Sequence, residues 1–157
     1  MNTLIIYDSA FGNTEHIALA IAETLREHSQ VQLTLVDEAS KFDPKTVDLL
    51  IVGCPTQRHG LTPGIRTYLD KLPRGALDGV MAAAFDTRYR MSVWISGSAA
   101  WSVGRHLQRA GALLVLPPES FFVTNREGPL EDGELERAAK WIDAILERLE
   151  AEVPVVQ

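Results

Sequence analysis

The sequence predicts an α/β fold in which a parallel sheet is covered on both faces by helices. Two observations carry this expectation. Strand-like and helix-like segments alternate five times along 157 residues, and the central strand-like runs, Asp48-Leu49-Leu50-Ile51-Val52-Gly53 and Gly79-Val80-Met81-Ala82-Ala83-Ala84-Phe85, are continuously apolar. Such runs suit strands buried on both sides, and the alternation suits crossover helices between them.

The first unit runs from Thr3 to Leu25. Leu4-Ile5-Ile6-Tyr7 is short and β-rich, whereas apolar positions 17, 18, 21, 22 and 25 fall on one helical face. The chain therefore turns through Asp8-Ser9-Ala10-Phe11-Gly12-Asn13-Thr14. Gly12 permits a positive φ, and Asn13 or Thr14 can cap the helix. Unpaired N–H groups beside the positive end of a helix dipole attract a phosphate. The pattern has neither the lysine of a Walker loop nor the three glycines of a dinucleotide loop.

Val31 to Val36 is β-branched and reads as a second strand, and Asp37 to Lys45 as a loop or single helical turn. The buried run 48–53 leads into a loop from Cys54 to Gly64. A short helix, Ile65 to Leu72, closes at Pro73-Arg74-Gly75. After the strand 79–85, Asp86 to Ile95 reads as a long loop, and Ser98 to Ala110 as a helix stopped by Gly111. Leu113 to Leu116 and Ser120 to Val123 flank Pro117-Pro118-Glu119, so the last strand is expected at an edge and interrupted there. Glu134 to Leu149 is amphipathic, with Leu135, Ala138, Ala139, Ile142, Ile145, Leu146 and Leu149 inward. The organisation expected is one domain over residues 1–150 and a tail over 151–157.

With 46% apolar and 23% charged residues the chain is globular in type. A net charge of −6 argues against a nucleic-acid partner. No run is long and apolar enough for a membrane span, and Met1-Asn2-Thr3 leads directly into a strand, so a cytoplasmic protein is expected. The single cysteine, Cys54, excludes an internal disulfide and a cysteine-rich zinc site, and its apolar setting suits a small buried hydrophobe.

In open sheets of this kind ligands sit beyond the carboxyl ends of strands, where the strand order switches. The loops after strands one, three and four are therefore the ones that matter. Ser9-x-x-Gly12-Asn13-Thr14 resembles the phosphate loop of the flavodoxin family, and Gly53-Cys54-Pro55-Thr56 is similar to that family's Gly-x-Pro-Thr turn. Pro117 to Val123 and Glu127-Gly128-Pro129-Leu130 resemble a subgroup of short flavodoxin-domain proteins. The resemblance spans roughly residues 3 to 149 and lacks the insertion of the long-chain members. It implies a three-layer sandwich around a five-stranded parallel sheet of order 2-1-3-4-5, with FMN as cofactor.

Carried over residue by residue, the resemblance puts the FMN phosphate on Ser9, Ala10, Phe11, Gly12, Asn13 and Thr14. It frames the ring with Pro55, Thr56, Gln57, Arg58, His59 and Gly60 and with Asp86, Thr87, Arg88 and Tyr89. Tyr89 is expected to stack, His59 to cover the other side or donate to the ring edge, and Asp86 to reach the ribityl hydroxyls. Three departures stand out. Phe11 replaces the family's usual hydroxyl; no Trp lies between Cys54 and Gly64, leaving Trp94 or Trp101 as substitutes; and Arg58, His59, Arg88 and Arg90 occupy loops where low-potential carriers of the family hold carboxylates. Positive charge there would raise the flavin potential and attract an anion such as a nicotinamide nucleotide.

Two other phosphate-handling uses of such a sheet fail on required residues. A receiver domain needs an Asp where Gly53-Cys54-Pro55 stands. A low-molecular-weight tyrosine phosphatase needs Cys-x5-Arg after the first strand, where residue 8 is Asp. Three functions remain: an FMN-binding electron-transfer protein working with a redox partner protein, an FMN-dependent NAD(P)H:quinone-type reductase, and a binding or regulatory module without flavin. None requires a protein nucleophile or a metal site, since the flavin would carry the chemistry.

Overall fold

The computed structural model of the chain describes residues 1–152. Strand β1 (Asn2–Tyr7) lies inside the sheet, and its alternation sets up two cores. Leu4 and Ile6 join one apolar cluster and Ile5 and Tyr7 the other, on opposite faces. Strands β2 (Gln30–Leu35) and β3 (Leu49–Pro55) flank β1 in parallel, with Thr3 opposite Val31 on one side and Leu49 on the other. Strand β4 (Met81–Tyr89) then pairs with β3 from Leu49↔Met81 to Pro55↔Thr87.

The last strand is split. β5 (Leu113–Leu114) pairs with Met81 and Ala82, and β6 (Glu119–Val123) with Phe85 to Tyr89, both parallel to β4. The break holds Pro117 and Pro118, as their missing N–H donors require. With these two pieces counted as one strand, the order is 2-1-3-4-5.

Helices α1 (Asn13–Arg26) and α5 (Glu134–Glu152) cover the Ile5 face, and α2 (Pro63–Asp70) and α4 (Ala99–Arg109) the Leu4 face. A four-residue helix, α3 (Val93–Ser96), precedes α4. Phe85, Phe121 and Trp141 meet edge to face with ring centroids 5.9 to 6.2 Å apart, which ties β4, β6 and α5 together. A Cβ at Gly53 would lie 2.2 Å from Cζ of Phe85, so only glycine fits beneath that ring.

Several boundaries differ from expectation. β3 continues through Cys54 and Pro55, because Cys54 and Pro55 stay in register with Asp86 and Thr87. Residues 86–89 are strand and not loop, because β6 supplies their pairing partners, and Val93–Ser96 is helical. Helix α5 runs to Glu152, so Ala151 and Glu152 of the expected tail are its last residues; 153–157 lie outside the described residues. Leu135 is exposed, while Glu134 takes the inward place and accepts the Phe122 N–H at 2.7 Å. Among the described residues, no helix is long and apolar enough to cross a membrane.

Candidate functional site

The carboxyl ends of β1, β3 and β4 open into one cavity of about 700 Å³, a size common for cofactor sites. Its first wall is the turn after β1. Gly12, at φ 91°, is the N-cap of α1 in place of Asn13 or Thr14, and no side chain caps the helix. The first helical bond shown there runs from the His16 N–H to the Gly12 carbonyl at 3.0 Å, so the amides ahead of it have no intrahelical acceptor. Ser9 Oγ accepts the Gly12 N–H at 3.1 Å, which leaves its own proton free to donate into the cavity.

Ser9, Ala10, Phe11, Asn13 and Thr14 all border the cavity; Gly12 shapes the turn without bordering it. Two of these side chains are engaged elsewhere. Asn13 Nδ2 donates to the Glu127 carbonyl at 3.2 Å, and the Thr14 hydroxyl lies 2.8 Å from that of Thr87.

The second wall follows β3. The Thr56 N–H donates to the Thr87 carbonyl at 2.9 Å, and Gln57 and Gly60 exchange backbone bonds of 2.9 and 2.8 Å. The tight turn between them places Arg58 at φ 45° and His59 at φ 68°. Left-handed backbone costs a non-glycine residue about 1 kcal/mol or more, so the surroundings must hold this turn. Gly97 does so from behind: a Cβ there would lie 2.3 Å from the His59 carbonyl oxygen. Pro55, Thr56, Gln57, Arg58 and His59 border the cavity, and Gly60 closes the turn outside its lining.

The third wall is the end of β4, where Thr87, Arg88 and Tyr89 border the cavity. Asp86 does not. Its carboxylate is fully buried, and Oδ2 accepts from the Ser98 hydroxyl at 2.7 Å, the Ala100 N–H at 3.0 Å and the Thr56 hydroxyl at 3.1 Å. The expected reach toward ribityl hydroxyls is thus replaced by a structural post joining β3, β4 and the start of α4.

Arg88 is likewise a clamp. Nε donates to the Ser120 hydroxyl at 2.9 Å, and Nη1 to the Met91 carbonyl at 2.8 Å and the Ser96 hydroxyl at 3.0 Å. It thereby fixes the segment that follows Tyr89. Arg90 is drawn off to Glu131 at 2.9 Å.

Five lining residues were not expected: Met91, Ile95, Ser96, Val123 and Arg126. The first three lie in the segment clamped by Arg88; Val123 ends β6 opposite Tyr89, and Arg126 lies in the turn that follows, whose Glu127 carbonyl accepts from Asn13, 114 residues away. Trp94 and Trp101 lie outside the lining. Cys54 is buried beneath the site, and burial pushes its thiol up to about 12, so it has no thiolate to offer.

The charge of the cavity opposes that of the chain. Arg58, Arg88, Arg126 and His59 line it and, among the described residues, no Asp or Glu does, although the chain carries 21 acidic against 15 basic residues.

The family model for the flavodoxin domain matches residues 4–114, across β1 to β5 and all three walls but the 123–126 turn. The chain belongs to the flavodoxin family. It is 33% identical over 125 residues to a flavodoxin of Aquifex aeolicus, a match covering 76% of this chain and 62% of that relative, which is less than two thirds of its length. Among solved structures, flavodoxin 1 of Bacillus cereus superposes with a TM-score of 0.77 at 22% identity, over 94% of this chain and 98% of the other. Rubredoxin oxygen:oxidoreductase of Desulfovibrio gigas gives 0.74 at 19% identity, covering 98% of this chain but 37% of that one. At these identities the structures establish the fold.

The residues present fit the flavin mononucleotide of the family resemblance. An uncapped helix N-terminus with the Ser9 hydroxyl suits a phosphate, and Tyr89, Met91 and Ile95 form an apolar wall suited to a flat ring.

Proposed function

We propose that this chain binds FMN in the three-walled cavity and acts as an electron-transfer protein that exchanges electrons with a redox partner protein. The observation that supports this best is the convergence on one cavity of the three loops chosen from sequence. In this reading the backbone of residues 10–14 and the Ser9 hydroxyl hold the phosphate. The Gln57–Gly60 turn and the Thr87–Tyr89 strand end frame the ring, with Tyr89 against its face. When bound, FMN supplies the one- and two-electron chemistry, and the protein supplies position and field. Arg58 and Arg126, with no lining carboxylate among the described residues, favour the extra negative charge of the reduced cofactor and so raise its potential.

Equilibrium dialysis of the stripped protein against FMN and riboflavin tests the phosphate assignment. FMN should be retained at least about 100-fold more tightly, the worth of two charge-assisted hydrogen bonds at roughly 1.5 kcal/mol each. Equal retention would contradict it.

The same cations support a second reading, an FMN-dependent NAD(P)H:acceptor reductase. Anaerobic mixing with NADPH separates the two: the carrier keeps its flavin colour and the reductase is bleached.

A further inference from the structure

We propose that the mouth of this cavity docks a partner protein that presents an apolar centre ringed by carboxylates. The inference rests on the electron-transfer reading and names the chemistry of its partner.

The segment beyond Tyr89 carries an apolar ridge that the chain itself does not cover. Trp94 is 98% exposed, and Met91, Val93 and Ile95 are exposed beside it, with Phe11 exposed on the opposite wall. The ridge is held, not loose: Arg88 fixes the Met91 carbonyl and the Ser96 hydroxyl, and the Gly97 N–H closes on the Val93 carbonyl at 2.7 Å. Contiguous exposed apolar surface on a fixed element marks an interaction site, and tryptophan is the residue type that most often dominates one.

The charges beside the ridge choose the occupant. Arg58, His59 and Arg126 are exposed at the cavity, and no Asp or Glu lines it among the described residues. A second copy of this chain would set Arg58 and Arg126 against themselves across a twofold axis. A nucleotide would use the cations but would leave the Trp94 indole, which lies outside the cavity lining, in water. An acidic-rimmed protein satisfies both features.

The test uses FMN-loaded, photoreduced protein with two electron acceptors, cytochrome b5 as the acidic one and cytochrome c as the basic one. One electron passes from the bound reduced flavin to the ferric haem iron, and no bond forms or breaks. From about 10 mM to about 500 mM salt, where screening shortens several-fold, the rate with the acidic acceptor should fall roughly tenfold, and that with the basic acceptor should not fall. Arg58→Glu should flatten the acidic acceptor's salt dependence. Trp94→Ala should slow it about tenfold while FMN affinity is unchanged. The proposal is overturned if the acidic acceptor speeds up with salt, if Trp94→Ala leaves its rate unchanged, or if NADPH alone reduces the flavin, which would assign the cations to a nucleotide. Loss of flavin absorbance on desalting would instead overturn the FMN reading itself and this proposal with it.

Discussion

The hydroxyls of Thr14 and Thr87 meet at 2.8 Å beneath the cavity, both side chains buried. One stands in the first turn of α1 and the other near the end of β4, 73 residues along the chain. The bond fastens the phosphate wall to the ring wall. Thr87→Val keeps the shape but strands the Thr14 hydroxyl, so it should cost about 1–2 kcal/mol in urea unfolding. It should also weaken FMN binding, read in the same preparation.

Asp86 is the second fastening. Asp86→Ala would leave the Ser98 and Thr56 hydroxyls and the Ala100 N–H without their acceptor. A loss of roughly 3 kcal/mol or more is expected, because several buried donors go unpaired at once. A denaturation midpoint unchanged from the parent would show that water replaces the carboxylate.

Gly97 bears on the site and little on the core. Its φ of 69° and the 2.3 Å approach of a Cβ to the His59 carbonyl oxygen mean that Gly97→Ala must push the 57–60 turn out of position. FMN affinity should fall about tenfold or more, as expected when roughly 1.4 kcal/mol of alignment is lost. Fluorescence titration of the variant checks this.

Glu134 gives a pH signature. Burial alone would raise its pKa, but the Arg137 guanidinium and the Phe122 N–H outweigh burial and hold it below the ordinary 4.5. A carboxylate depressed in the folded state contributes stability that is fully present above pH 4.5 and is lost as pH falls through the folded value. Glu134→Gln should therefore be less stable than the parent by about 1–2 kcal/mol at neutral pH. That gap should close on acidification below the ordinary value, in urea titrations at stepped pH.

The buried strands, the broken fifth strand and the helix faces were legible because each is written in local signals: the 3.6-residue stripe of α1, the apolar run of β3, the paired Pro117-Pro118; the strand order came only with the family resemblance. Strand ends were less legible. Asp86 to Tyr89 look like a polar loop, and only pairing with β3 and β6, each more than 30 residues away, makes them strand. The same gap explains the site. Its walls could be chosen from loop position, but the work of Asp86 and Arg88 could not, because their partners are Ser98, Ala100, Ser120 and Ser96. Arg126 reaches the cavity because its turn follows β6, paired with the end of β4, and is tied to Asn13 by a long-range bond at Glu127 that no local pattern announces. The left-handed pair Arg58 and His59 was invisible for a further reason: two successive non-glycine residues at positive φ are uncommon, and arginine has no preference for that backbone.

The most direct test is a titration of flavin-stripped protein into FMN, following flavin fluorescence. The account predicts quenching that ends at one FMN per chain with submicromolar affinity, because an uncapped helix N-terminus and an aromatic wall act on one ligand together. Fluorescence that stays unquenched at micromolar protein would contradict it, and would mean that Phe11 and the rearranged loops have left a flavodoxin fold without its flavin.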